Sequence, residues 1–317
     1  MGILETSEKK LHLKEKRGSL KHFCDKAKCK MNGESNRSFK SPTLRQKDSC
    51  QMPPEKVDVS IILPVLNGAD CIKQAVESVI NQSYKFWELL IIDDGSTDGT
   101  PLILEEAKRK DNRIRIITNP GHQGIIYSLN SGWKQSKGDL IARMDADDIC
   151  DHNRIKEQVE YMNSHPEIAV LGTAASIFYG NNENGGVLMM PETHEQIASE
   201  IYRKSPFIHS SVIMRKDFLR KMGGYVLSTG FKNLEDWDMW IRGHKIFKFH
   251  NLQKVLIKYH ARKTVTMREL CNRFFGAMRI LIREKKILKD GWFIVAWMVS
   301  ALLAKAKLYV PKSFRTK

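Results

Sequence analysis

Residues 59–100 read VSIILPVLNGADCIKQAVESVINQSYKFWELLIIDDGSTDGT. The run over 59–63 is apolar and β-branched, and Pro64 with Asn67-Gly68 ends it, which predicts a buried strand and a turn. Ile72, Ala75, Val76, Val79 and Ile80 then recur at helical intervals. A second apolar run, FWELLII, closes on Asp93-Asp94-Gly95-Ser96. Parallel neighbours in a sheet need a crossover, so a strand–helix–strand unit points to parallel pairing.

The alternation continues with a helix in PLILEEAKRK, a strand in RIRIIT, a helix in GIIYSLNSGWKQS and a strand in DLIARM. Four strand–helix alternations predict an α/β fold with a mainly parallel, doubly wound sheet flanked by helices. Further on, HNRIKEQVEYMNSH reads as a helix, EIAVLGTAASIFYG as one strand or two, HSSVIMR as a strand and LEDWDMWIRGHK as a helix. Thr193 and Gln196 have the spacing of a capping box for a helix running to Lys204. VLIKYH ends the globular part, and two helices follow Thr266. Three segments result: a basic, disordered tail over 1–56, an α/β domain over 57–265, and a helical extension over 266–317.

The 317 residues carry 52 Lys/Arg against 36 Asp/Glu, a net charge of +16 that sits at the two ends. Residues 1–56 hold 14 basic and 7 acidic side chains, 57–260 hold 24 and 26, and 261–317 hold 14 and 3. Basic ends suit a polyanion, either a membrane surface or a nucleic acid, and solvated tails are the simpler alternative. The six cysteines have no repeated spacing, which predicts reduced thiols on the cytosolic side. The N-terminus lacks a signal-peptide core, and Gly2 with Thr6 fits a myristoylation pattern only loosely. Residues 291–310, GWFIVAWMVSALLAKAKLYV, are apolar for about 14 residues before Lys305, short of the roughly 20 that span a bilayer. RELCNRFFGAMRILIREKK, just upstream, interleaves Arg and Lys with Phe, Met, Ile and Leu. Together they predict an element lying in the interface of an anionic membrane; the alternative is a helical pair packed on the domain.

Residues 141–149, IARMDADDI, place Asp145, Asp147 and Asp148 at the tip of a buried strand, where like charges repel. In an open parallel sheet, ligands bind beyond the carboxyl ends of the strands, where Pro64, Asn67, Asp93 and Asp94 also fall. A hard divalent cation, Mg2+ or Mn2+, completed by substrate phosphates, accounts for such a cluster; solvated loop aspartates account for it equally well on spacing alone. There is no GxxxxGK[ST] loop and no GxGxxG after the first strand, which argues against P-loop and dinucleotide chemistry.

The stretch 59–100, followed by NPGHQGIIYSLNSGWKQSKGDLIARMDADD at 119–148, resembles the inverting glycosyltransferase family 2, of GT-A fold. The resemblance runs from about Val57 to Thr266. It implies that Pro64, Asn67 and Asp94 bind the nucleotide of a UDP-sugar, Asp94 through the uracil. It further implies that Asp145 lies by the ribose, that Asp147 ligates Mn2+ or Mg2+, and that Asp236, in NLEDWDMW, is the catalytic base. Acids in a helix's first turn are also favoured by its dipole, which is the structural account of Glu235, Asp236 and Asp238. His209 and His260 are candidates for acceptor or phosphate contacts, with His244 a further candidate for the acceptor. The QxxRW motif of processive members is absent after Asp236, so transfer of a single sugar is expected. The expected acceptor is a lipid-linked or surface glycan. A modified tRNA nucleoside is the alternative acceptor, and a catalytically silent membrane- or nucleic-acid-binding protein the alternative function.

Overall fold

The computed structural model describes residues 56–180, 183–226, 234–261 and 266–305. The tail expected over 1–56 lies, apart from Lys56, outside the described residues, and with it Gly2, Thr6, Cys24, Cys29 and Cys50. The chain order is β1 (Val59–Val65), α1 (Ile72–Ile80), β2 (Trp87–Asp93), α2 (Thr100–Lys110), β3 (Ile114–Thr118), α3 (Ile125–Gln135) and β4 (Leu140–Arg143). There follow β5 (Ile149–Cys150), α4 (Arg154–Ser164), β6 (Ile168–Tyr179), β7 (Glu183–Leu188) and α5 (His194–Glu200). After a 3-10 turn at His209–Ser211 come β8 (Ile213–Arg215), α6 (Lys216–Met222), α7 (Glu235–Gly243), β9 (Lys248–His260), α8 (Met267–Arg283) and α9 (Ile287–Lys305).

One sheet runs β3-β2-β1-β4-β8-β6-β9-β5, with β7 added on β6. The first four strands are parallel, as the alternation predicts, and β8 joins them antiparallel to β4. The far half is mixed: β6 and β9 pair in parallel, while β5 and β7 pair antiparallel to them. Side chains alternate between the sheet's two faces. Ile61, Leu63, Leu89 and Ile91 therefore pack with α1, α2 and α4, through Ile72, Leu104 and Ile155. Ile62, Leu90 and Ile92 pack on the other face with Leu129, Phe218 and Trp240. Both faces being covered is why these strands read as continuous apolar runs.

Thr193 and Gln196 form the expected capping box, and Thr266 with Glu269 forms a second one that starts α8. HSSVIMR is a strand only from Ile213. The Ser211 hydroxyl donates to the Ile208 carbonyl oxygen at 2.8 Å and accepts from the Thr173 N–H at 3.1 Å, local bonds that hold a turn instead of a ladder. α8 and α9 bury Ala277, Ile280, Leu281 and Ile294 in the core. Among the described residues, no helix is long and apolar enough to cross a membrane.

Candidate active site

The carboxyl ends of β2, β1 and β4 are neighbours, and their loops form one rim. The stretch after β2 fastens that rim. The Asn67 N–H donates to the Ser96 hydroxyl at 2.9 Å, the Gly68 N–H to the Thr100 hydroxyl at 2.9 Å, and the Ala69 N–H to Asp98 at 3.1 Å. In return the Thr97 N–H donates to the Asn67 side-chain oxygen at 2.8 Å. Asn67 adopts a left-handed φ of +52°, which Asn tolerates better than most residues. Gly95, at φ +83°, lies against Gly121: a Cβ there would sit 2.7 Å from the Gly121 Cα. Pro64 is buried one position before the end of β1, and Asn67 is exposed on the loop beyond it.

Asp94 is buried and its carboxylate is saturated. Oδ1 accepts from Asn119 Nδ2 at 2.7 Å and the Gln123 N–H at 2.9 Å; Oδ2 accepts from the Gly124 N–H at 2.8 Å and lies 2.7 Å from His122 Nδ1. Burial pushes its pKa up, but the bonds from Asn119, Gln123, Gly124 and His122 together hold it below the ordinary value. These four partners explain NPGHQG, which the sequence reading left without a role. Of the four, only His122 reaches Asp94 through an exposed side chain.

The three aspartates after β4 have three different environments. Both terminal nitrogens of the buried Arg143 pair with Asp145, whose N–H donates to the Ser210 hydroxyl at 3.0 Å. Asp148 is buried and accepts the His260 N–H at 2.7 Å, while its other oxygen is without a hydrogen-bond partner. Burial, with Asp145 and Asp147 close by, pushes the Asp148 pKa up to about 7. Asp147 is the most open, and His260 Nδ1 lies 3.3 Å from it. Oxygens of all three lie within 4.8 Å of one another. The cluster is therefore not a set of solvated loop aspartates. An orphaned buried oxygen beside two further hard oxygen donors fits a Mg2+ or Mn2+ ion.

A second group gathers His209, Glu235 and Asp236, again within 4.8 Å. Glu235 and Asp236 open α7, and His209 opens the 3-10 turn. His209 Nε2 lies 3.0 Å from the Tyr225 hydroxyl, and burial, then Arg143, holds its pKa well below the ordinary value. Burial, then the charge of Asp236, pushes Glu235 up to about 7, and one Glu235 oxygen is buried without a partner. Burial also raises the pKa of Asp236, opposed by the Trp237 N–H and by Arg143. Arg143 thus acts electrostatically on both clusters. Asp238 is different: Arg242 Nε donates to it at 2.9 Å and Arg283 at 2.5 Å, so it joins α7 to α8. His244 Nδ1 lies 2.7 Å from the Ile241 carbonyl oxygen, at the end of α7, with the ring edge-on to Tyr202.

A raised carboxyl pKa has a stability consequence. The folded state holds the Glu235 proton up to about pH 7, whereas an unfolded Glu releases it near 4.5. Its contribution is complete below pH 4.5 and is lost as pH rises through 7. Glu235→Gln is therefore expected to melt with wild type at pH 4 and several degrees above it at pH 8, since about 1 kcal/mol moves Tm by roughly 2–4 °C at this size. Thermal melts of both proteins at the two pH values check this; a constant difference between them would place the ionisation elsewhere.

The model of the family "Glycosyl transferase family 2" matches residues 60–223. A Bacillus subtilis protein named as a glycosyltransferase, EpsE, is 34% identical over 204 residues, covering 63% of this chain and 72% of that protein. The amylovoran biosynthesis glycosyltransferase AmsE of Erwinia amylovora is 29% identical over 229 residues, 70% of this chain and 83% of that protein. Among solved structures, S. aureus TarS 1-349 in complex with UDP superposes with a TM-score of 0.56 at 20% identity, over 82% of this chain and 76% of that one. The mannosyltransferase PcManGT of Pyrobaculum calidifontis, in complex with GDP-Man and Mn2+, gives 0.56 at 14% identity, over 85% and 81%. These likenesses confirm the GT-A fold. The match over residues 60–223 takes in more than half of the chain, which belongs to glycosyltransferase family 2.

Proposed function

We propose that the protein is an inverting glycosyltransferase that moves one sugar from a UDP-sugar to an acceptor hydroxyl. The observation that carries this reading is Arg143, a single buried guanidinium acting on both the strand-end aspartates and the His209–Glu235–Asp236 group. Donor and acceptor chemistry would meet across it. Pro64, Asn67 and Asp145 line the nucleotide side. Asp94 takes the uracil once the exposed His122 side chain yields its place on Oδ2. Asp147, with Asp145 and Asp148 adjacent, would hold Mn2+ or Mg2+. When bound, that ion offsets the charge of the leaving diphosphate.

Asp236 is the general base. Its raised pKa brings it toward neutrality, where proton acceptance is most effective. It removes the acceptor hydroxyl proton as the oxygen attacks the anomeric carbon, and attack opposite the diphosphate inverts that centre. His209 and His260 bound the acceptor and phosphate sides. The acceptor is a glycan on a lipid carrier or at the cell surface, reached from the cytosolic face of a membrane. Relatives named for amylovoran and O-antigen biosynthesis support that class. Screening UDP-sugars for Mn2+-dependent UDP release identifies the donor, and proton NMR of the product gives its anomeric configuration. An α-linked donor is expected to yield a β-glycoside; retention would overturn the mechanism.

A further inference from the structure

We propose that α8 and α9 form a docking surface for an anionic lipid bilayer, fixed to the helix that carries the base. The inference rests on the transferase reading only for the identity of that base. α9 binds the domain by one face: Gly291 and Ile294 are buried, and Asp290 pairs with Arg203 at 3.1 Å. Its other face is apolar as well. Trp292, Val295 and Val299 recur at i, i+3 and i+7 and are 60%, 46% and 48% exposed. A helix apolar on both sides is normally covered on both sides. On α8, the exposed positions Arg268, Phe275, Arg279 and Ile282 recur at i, i+7, i+11 and i+14, with Phe275 and Ile282 exposed by 53% and 59%. Basic and apolar side chains thus share one stripe, beside a Trp-bearing helix that packs against α8.

Charge decides what covers this surface. Residues 267–317 hold 12 Lys/Arg against 3 Asp/Glu. A second copy placed symmetrically on the face would set one such cationic segment against another. Anionic headgroups over a hydrocarbon layer complement both the charge and the apolar stripe. The contact is shallow. The uncharged run over 291–304 is about 21 Å long as a helix, against a hydrocarbon core of roughly 30 Å. Docking also orients the site, because α8 is joined to α7 by Arg283–Asp238, backed by the contact of Lys245 with Glu284 just beyond the ends of the two helices. The base-bearing helix is thereby held at the membrane, which selects an acceptor carried on a lipid.

The test is flotation of the full chain with vesicles of 30% phosphatidylglycerol in phosphatidylcholine. Wild type is expected to float, and Trp292→Ser/Val295→Ser/Val299→Ser to bind at least tenfold more weakly with an unchanged melting temperature. Raised salt is expected to weaken wild-type binding without abolishing it. Equal binding by the variant, or no binding by wild type, overturns the proposal. So does self-association of wild type that the triple substitution removes, which would make a second copy the occupant, or retention of tRNA by protein that does not float. Calorimetry with UDP is read separately: a protein that floats but fails to bind UDP refutes the transferase reading and leaves the docking surface standing.

Discussion

Asp236→Asn is expected to lower kcat by about 10²-fold or more, with UDP affinity unchanged within about twofold. The amide keeps the size and polarity of the carboxyl and cannot accept the acceptor proton. Asp236 stands at the start of α7, away in sequence from every residue assigned to the nucleotide, so its loss should fall on turnover. The pH profile sharpens the test. Burial raises the Asp236 pKa, so the protonated, inactive form persists to higher pH than for an ordinary carboxylate. Wild-type kcat should therefore rise with pH along an acid limb displaced upward, and the residual activity of the Asn variant should lose that limb. Glu235→Gln is the necessary companion, because the two carboxyls influence each other. Near-normal turnover in Asp236→Asn with loss in Glu235→Gln would transfer the role to Glu235.

The first half of the domain was legible because each strand and helix there announces itself locally. Ile72, Val76 and Val79 mark a helix face, and 59–63 marks a strand buried on both sides. The far half was not, because its pairings are decided at long range. β8 is three residues long and is held between β4 and β6. β7 contains Gly185 and Gly186, which carry no strand signal. At the site, residue types were legible and environments were not. Asp145, Asp147 and Asp148 read alike, yet one is ion-paired, one open and one buried with a free oxygen. Asp238 read as a first-turn acid like Glu235, but Arg283, 45 positions on, claims it. Arg143 was overlooked altogether. The signal was a lone cation in an otherwise apolar strand, which needs an anion near it to be buried.

That same ion pair makes Asp147 the carboxylate whose removal reports on the metal. Asp145 is committed to Arg143, and Asp148 accepts from the His260 backbone with a pKa pushed up to about 7. Asp147, its side chain 36% exposed and faced by His260, is the carboxylate of the three most open to an incoming ion. Two phosphates approaching these aspartates without a cation would meet like charge. Wild type is therefore expected to bind UDP on the order of tenfold more tightly with Mn2+ than without, a difference of about 1.4 kcal/mol. Asp147→Ala should abolish that difference and most of the activity while melting within a few degrees of wild type. Asp145→Ala should behave otherwise. It strands the buried Arg143 without its anion, a change that costs about 3–5 kcal/mol, so its melting temperature should fall sharply. Calorimetry with UDP in both buffers and melting curves of both variants separate the two effects. Equal wild-type affinities with and without Mn2+ would remove the metal from the site, and a Mn2+ effect surviving in Asp147→Ala would move its ligand to Asp145 or Asp148.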